Sequence, residues 1–272
     1  MKKLALALAA WLVPALAAAG MITESDLDTL PAADVLVLGE VHDNPRHHQG
    51  QARAVAGSRP AALVFEMLTP ALATRITPAL RAQPDRLGRV LEWESRGWPE
   101  FAMYAPVFAA APRARVFGGG VPREALMRAA RQGPELLFGT EAARFGLTKP
   151  LPPTEQAARE AEMQHSHCGA LPDEALPAMV MAQRIRDAAL ARAVLRALSG
   201  TGGPVAVITG NGHARHDRGL PAALSRAAPD LSITSLGQFE TEPEETPPFD
   251  LWRVTAPAER PDPCARFRES GG

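Results

Sequence analysis

Short apolar runs recur along the chain, and most of them end in glycine or a polar residue just before a helical pattern begins. They cover residues 35–38, 61–65, 114–117, 205–208, 231–236 and 251–254. Continuous apolar strands that alternate with helices are typical of a parallel sheet covered on both faces. The pattern therefore predicts an α/β fold with a mainly parallel sheet.

Helix signals fill the gaps between these runs. Asn44 and Pro45 read as a cap and a first-turn proline, so a helix should run from there and stop before Gly57. Asp173 is placed to cap a long helix from position 174 to about 198, which Gly200 would end.

Two longer stretches, about 70–112 and 123–165, are helical in pattern, are broken by prolines and contain no candidate strand. We interpret them as helical insertions that form a lid or second lobe. Together with these insertions, residues 20–272 are predicted to form one domain. A domain of this size can bury one large core.

The first 19 residues have the pattern of a signal peptide. Lys2 and Lys3 precede a short apolar segment at 4–16, and residues 15–17 (Ala-Leu-Ala) form a small-x-small cleavage signature. The apolar segment is too short for a comfortable membrane span. No cysteine lies near the cleavage site, so no lipid anchor is expected. The pattern predicts an exported, periplasmic protein.

The net charge argues against one class of function, and the two cysteines bear on the cellular compartment. A formal net charge of −1 argues against a nucleic-acid binder, which usually carries a concentrated basic face. The two cysteines, Cys168 and Cys264, can pair in an oxidising compartment, although two free thiols are the alternative.

Two copies of Gly-x-x-His stand at the ends of predicted strands, Gly39 to His42 and Gly210 to His213. The carboxyl ends of parallel strands form the ligand-binding edge of such a sheet, and glycine lets the backbone turn sharply there. Each histidine would lie just ahead of a helix N-terminus, whose dipole favours a neutral ring.

A third strand ends in Glu66, a costly position for a carboxylate unless it is paired or bound to a cation. Glu40, His42, Glu66 and His213 are therefore expected to converge. Their types suit a divalent metal or a histidine base beside carboxylates, while a structural hydrogen-bond network is the competing interpretation. His47 and His48 are expected to be solvated surface residues.

The only tyrosine, Tyr104, lies in the most aromatic stretch of the chain, near Trp98, Met103 and Phe108. One interpretation is the hydrophobic core of the helical segment. The other is an apolar platform for a flat ligand with the phenol as an axial group, since tyrosinate is a known ligand of haem iron.

Taken together, these motifs resemble the ChaN-like haem-binding proteins of the Tiki, TraB and erythromycin-esterase superfamily. The matching stretches are 37–45, 65–66, 98–106, 167–169, 183–187, 210–214 and 262–264. The Gly-x-x-His pair is fairly specific to the superfamily, and the aromatic stretch with the cysteine pair indicates the ChaN branch.

The resemblance implies a three-layer α/β/α core with an inserted helical subdomain, and haem binding with a role in iron uptake. Tyr104 would ligate the iron, and Trp98, Met103 and Phe108 would cover the porphyrin. Haem binding between two chains implies a homodimer, and outer-membrane haem uptake machinery would be a partner. Many members are lipoproteins, and this chain departs from them in lacking the cysteine.

The superfamily also contains hydrolases, so the resemblance implies an alternative function as a metal-dependent peptidase or esterase. Glu40, His42, Glu66 and His213 would form its active site. His42 or Glu40 would activate water, while Glu66 and His213 would hold the metal or substrate. A third interpretation is an inactive scaffold that keeps these residues as a structural network.

Overall fold

Seven parallel strands form the central sheet of the computed structural model, which describes residues 20–262, 264 and 265. The proposed signal peptide, residues 1–19, lies outside the described residues. The strands are β1 (Gly20–Met21), β2 (Val35–Leu38), β3 (Ala62–Phe65), β4 (Arg115–Gly118), β5 (Val205–Ile208), β6 (Ile233–Phe239) and β7 (Leu251–Val254). Their order across the sheet is β1-β7-β6-β2-β5-β3-β4, and all neighbours pair in parallel.

Helices connect the strands and cover the sheet. They are α1 (Pro45–Ser58), α2 (Pro70–Ala73), α3 (Pro78–Arg81), α4 (Pro84–Val90), α5 (Phe101–Ala110), α6 (Arg123–Gln132), α7 (Glu135–Phe138), α8 (Pro153–Ser166), α9 (Leu176–Thr201), α10 (Asn211–Ala214) and α11 (Gly219–Ala227). Short 3₁₀ turns add Ser25–Thr29, Glu94–Arg96, Gly139–Ala143 and Asp173–Ala175.

The alternation of side chains along each strand divides the interior into two cores. Val35 and Val37 of β2 pack with α6, α9 and α11 on one face, while Leu36 and Leu38 pack with α1, α4 and α5 on the other. Two helical layers around one parallel sheet confirm the predicted three-layer α/β/α core. The helices of residues 70–110 bury their apolar side chains in the same core as α1.

Local signals set the helix boundaries. The Asn44 side chain accepts a hydrogen bond from the Arg46 N–H, so the predicted cap of α1 is confirmed. The long helix α9 ends later than predicted. Gly200 stays helical, and Gly202 takes the left-handed conformation that closes the helix, with its N–H on the Leu198 carbonyl.

A disulfide joins Cys168 to Cys264, with the two Cα atoms 5.6 Å apart, as the cysteine count had suggested. It ties the C-terminal segment to the turn that follows α8. Across residues 20–262, 264 and 265, every helix is too short or too polar to cross a bilayer.

Replacing both cysteines (Cys168→Ser with Cys264→Ser) should lower the free energy of unfolding by about 2–4 kcal/mol, because the bridge closes a loop over a sequence separation of 96. Urea unfolding measures the loss. Dithiothreitol should reproduce it in the wild type and leave the double variant unchanged. Equal stability of the oxidised wild type and the variant would contradict the expectation.

Candidate functional site

The predicted site residues meet at one edge of the sheet. Glu40 and His42 follow β2, Glu66 follows β3, and His213 lies in α10 directly after β5. Because β2, β5 and β3 are neighbours, their carboxyl ends place all four side chains on the same edge.

Glycines permit this close approach. A Cβ atom on Gly210 would lie 2.9 Å from Nε2 of His42, and one on Gly39 would lie 2.8 Å from the Leu236 carbonyl oxygen. A side chain on the first glycine of either Gly-x-x-His motif would therefore crowd these neighbouring atoms.

Glu40 is the buried centre of the first half of the site. Its carboxylate accepts hydrogen bonds of 2.7 Å from the Tyr104 hydroxyl, from Nδ1 of His42 and from Nε2 of Gln51, and Nδ1 of His48 lies 3.4 Å away. Burial opposes ionisation of Glu40, but the hydrogen bonds from His42 and His48 prevail and hold its pKa well below the usual range.

Glu66 is the centre of the second half. It accepts hydrogen bonds from the Thr209 hydroxyl at 2.7 Å and from the Gly210 N–H at 2.9 Å, and Nε2 of His213 lies 3.5 Å away. Burial opposes its ionisation, yet the positive charges of His213 and His42 keep the pKa of Glu66 below its ordinary value.

His213 is held between two carboxylates, since its Nδ1 also contacts Asp187 at 2.6 Å. Burial works against a charged ring, but Glu66 and Asp187 outweigh it and raise the pKa of His213. Both ring nitrogens thus face acceptors, which is the environment of an imidazolium.

His48, like His213, has hydrogen-bond acceptors at both ring nitrogens. Its Nε2 faces the His42 carbonyl at 2.8 Å and its Nδ1 faces Oε1 of Gln51 at 3.2 Å, beside Glu40. Despite its burial, these partners, Glu40 above all, raise the pKa of His48.

Cationic and anionic side chains therefore alternate through the site. We call this row the charge chain, and its members in order are His48, Glu40, His42, Glu66, His213 and Asp187. At the end of the row, burial raises the pKa of Asp187, although the charge of His213 opposes this. His42 links the two halves, because it donates to Glu40 and faces Glu66 across Gly210.

The expectation of a neutral ring is wrong for His213 and for His42. Burial lowers the pKa of His42, but the hydrogen bond to Glu40 and the charge of Glu66 overcome this and raise the pKa to about 9. Two carboxylates within the site act more strongly on the ring than the partial charge of the following helix N-terminus.

A cavity of about 290 Å³ opens beside the charge chain. His42, Glu66 and His213 line it, together with the half-buried Trp98 and the cationic Arg96 and Arg186. The rings of Trp98 and His42 meet in a T-shaped arrangement, with the ring centroids 5.2 Å apart. The cavity thus offers two imidazoles, a carboxylate, an indole and two guanidinium groups.

Metal binding receives no support from the arrangement of the side chains. Within the described residues, no group of three or more His, Cys, Asp or Glu side chains is placed to hold a metal ion. The charge chain instead pairs each carboxylate with a histidine.

The aromatic stretch is divided between core and cavity. Tyr104 and Phe108 are buried, because α5 turns the face carrying Phe101, Tyr104 and Phe108 towards the sheet. Phe108 stacks on Phe65 at 4.3 Å. Met103 is half-buried against the same core.

Only Trp98 of the four proposed porphyrin contacts lines the cavity. Tyr104 is fully buried with its hydroxyl on Glu40, and burial together with that negative charge raises the pKa of Tyr104 above its ordinary value of 10.0. The Tyr104 side chain is therefore part of the buried network around Glu40.

His47 and His48 are not surface residues, contrary to the expectation from sequence: both are fully buried. Nδ1 of His47 accepts the Val41 N–H at 2.9 Å, so its ring is neutral, and burial lowers the pKa of His47 to about 4. Both histidines lie on the helical stripe of α1 that continues through Gln51 and Ala54, and this stripe is the sequence signal for their burial.

Asp187 and Gln51 are contributors to the site that sequence reasoning missed. Asp187 was a carboxylate on the otherwise apolar stripe of α9, and Gln51 a polar residue on the buried stripe of α1. A buried polar residue at such a position needs a partner, and this was the available signal.

The fold and this edge define the class: a parallel α/β protein with paired Gly-x-x-His motifs at neighbouring strand ends. The chain belongs to the family described as haem-binding uptake, Tiki superfamily, ChaN, whose model matches residues 27–224.

One solved structure supports the fold. The chain is similar to ChaN of Campylobacter jejuni, a structure described as showing cofacial heme binding, with 17% identity, 84% of this chain and 90% of that chain covered, and a TM-score of 0.66. The type III effector HopBA1 is more distant, at 11% identity, 82% and 88% coverage and a TM-score of 0.45. A search of curated proteins found no match.

The raised pKa of His42 gives stability a pH dependence. Its contribution is fully present below the unfolded pKa of 6.5 and is lost as the pH rises through about 9. The free energy of unfolding should therefore fall over this interval, and fall less in His42→Gln. Urea unfolding across the interval measures it, with the exposed His165→Gln as the matched control. Parallel profiles for the wild type and His42→Gln would refute the expectation.

Proposed function

We propose that this chain is an exported, periplasmic haem-binding protein that serves haem and iron uptake. The observation that carries the proposal is membership of the haem-binding uptake family over residues 27–224. The disulfide between Cys168 and Cys264 supports an oxidising compartment.

The cavity beside the charge chain has the side chains that haem requires. An imidazole nitrogen is an iron ligand, an indole packs on a porphyrin face, and guanidinium groups pair with propionates. His42, Trp98, Arg96 and Arg186 supply these groups.

His42 is the candidate iron ligand that already lines the cavity. Its Nδ1 is oriented by Glu40, and its Nε2 lies near Gly210 and Glu66. Carboxylate support on the other ring nitrogen is the usual arrangement of a ligating histidine. The ring must release a proton before it binds iron.

Tyr104 is the alternative ligand, on the family resemblance. This role requires the phenol to leave Glu40 and the buried core of α5, and it requires a proton to be lost from a hydroxyl whose pKa burial raises. Met103 and Phe108 would contact porphyrin only with the same opening.

The proposal includes a homodimer on haem binding. A cavity of about 290 Å³ is at the small end for a ligand site, so a porphyrin would lie across its mouth and leave surface for a second chain to cover. Delivery through outer-membrane haem uptake machinery rests on the family resemblance.

A haem titration of the chain from residue 20, followed by absorption spectroscopy, tests the proposal. Saturable binding is expected, weakened about tenfold or more in His42→Ala through loss of the iron ligand and unchanged in His165→Ala. Light scattering with and without haem measures dimerisation.

Tyr104→Phe in the same titration separates the two ligands. An unchanged spectrum in Tyr104→Phe with a changed one in His42→Ala assigns the iron to His42. Loss of the charge-transfer band of tyrosinate in Tyr104→Phe alone assigns it to Tyr104. Binding no better than that of an unrelated control protein would contradict haem binding itself.

Hydrolysis is the second candidate function, favoured by two imidazoles, His42 and His213, that line one cavity and are each backed by a carboxylate. In it, His42 or Glu40 activates water, and Glu66 and His213 hold the substrate. If the protein does not bind haem, its hydrolase activity should be assayed. The His42→Ala variant is then expected to lose turnover.

A further inference from the structure

A second cleft, of about 670 Å³, lies between the loop after α7, helix α8 and helix α11, and Asp187, the last member of the charge chain, lines it. We call it the cationic cleft. Its lining includes six cationic side chains: Arg144, Lys149, Arg159, Arg184, Arg218 and Arg226. Only two carboxylates, Glu155 and Asp187, line it with them.

Most of this positive charge has no carboxylate partner. Arg159 pairs with Glu155 at 2.6 Å, Arg218 pairs with Glu162, and Asp187 is engaged by His213. Among the described residues, the side chains of Arg144, Arg184 and Arg226 make hydrogen bonds only to backbone carbonyls, and the Lys149 side chain makes no hydrogen bond or ion pair.

The partners of the remaining guanidinium groups hold them in place without neutralising them. Arg184 donates to the carbonyls of Gly146 at 2.7 Å and Lys149 at 2.9 Å, and Arg144 donates to the Ala227 carbonyl. Arg226 donates to the Ala222 carbonyl at 3.2 Å. Guanidinium groups held this way keep further N–H donors for a ligand.

Like charges are crowded in the cleft. Burial, and after it the charges of Arg159 and Arg226, lower the pKa of Arg184. The side chain of Arg159 is only 13% exposed, and its Nε atom is buried without a hydrogen-bond partner. An anion in the cleft would relieve this repulsion, because it would face the unpaired cations at close range.

The dimensions and the donors indicate the class of ligand. A cleft of this volume suits a small molecule, and guanidinium groups bind carboxylate and phosphate oxygens in pairs. We propose that the cationic cleft binds a small anion with at least two carboxylate or phosphate groups. The ligand is either a separate small polyanion or a haem whose propionates reach this cleft instead of Arg96 and Arg186.

Citrate and pyrophosphate are the probes, each titrated calorimetrically into the chain from residue 20 at low salt. The test variant combines Lys149→Glu and Arg226→Glu, both exposed, so that the fold is preserved. The control combines Arg113→Glu and Arg131→Glu, exposed positions away from the cleft that carry the same change of charge. Circular dichroism checks that both variants are folded.

The wild type should bind at least one probe saturably, with affinity about tenfold or more lower in the cleft variant and unchanged in the control. Haem titrations of the same three proteins distinguish the sources. Haem weakened only in the cleft variant, with competition by the probe, assigns the cleft to the propionates. Haem binding that is unaffected by the cleft variant assigns it to a separate anion.

Two results would overturn the proposal. One is equal weakening in the cleft variant and the control, since that reports net charge alone. The other is no saturable binding of either probe together with haem behaviour identical in the wild type and the cleft variant. Because the probes need no haem, failure of haem binding and failure of this proposal are separate results.

Discussion

Alternation of charge along one row of buried and half-buried side chains is the constraint on which the rest of this sheet edge depends. A lone charge at the depth of Glu40 or His48 costs several kcal/mol, so these two buried members of the charge chain need their neighbours. Glu40 requires His42 and His48, and Glu66 requires His42 and His213. Removing His42 takes a positively charged neighbour from both Glu40 and Glu66.

The surrounding fold positions the side chains of the charge chain. Parallel strand ends bring the two Gly-x-x-His motifs side by side, and Gly39 and Gly210 give the space for close approach. The hydroxyl of Tyr104 and the amide of Gln51 supply the remaining donors to Glu40. The single tyrosine of the chain thus acts within the polar network as well as in the aromatic core.

Periodicity predicted much of the fold, because continuous apolar strands and capped helices are local signals. It also predicted that Glu40, His42, Glu66 and His213 meet, since parallel strands end on one edge. Periodicity could not predict the protonation states of these four side chains. The local dipole argument pointed to a neutral His42, whereas the two carboxylates near its ring come from different strands.

Contacts between elements that are distant in the sequence explain the other differences between the predictions and the structure. His48 is buried because α1 packs against α5, and Asp187 joins the site because α9 passes beside α10. Tyr104 had two interpretations, core or ligand platform, and the choice depended on which face α5 turns to the sheet. No spacing within 98–106 decides that orientation.

Histidine side-chain NMR of the folded and the urea-unfolded chain tests the charge chain most directly. Titration should show the pKa values of His42, His48 and His213 higher in the folded than in the unfolded state, and that of His47 lower. If any of the first three titrated at the same pH as in the unfolded chain, or at a lower one, the alternation of charge would be contradicted.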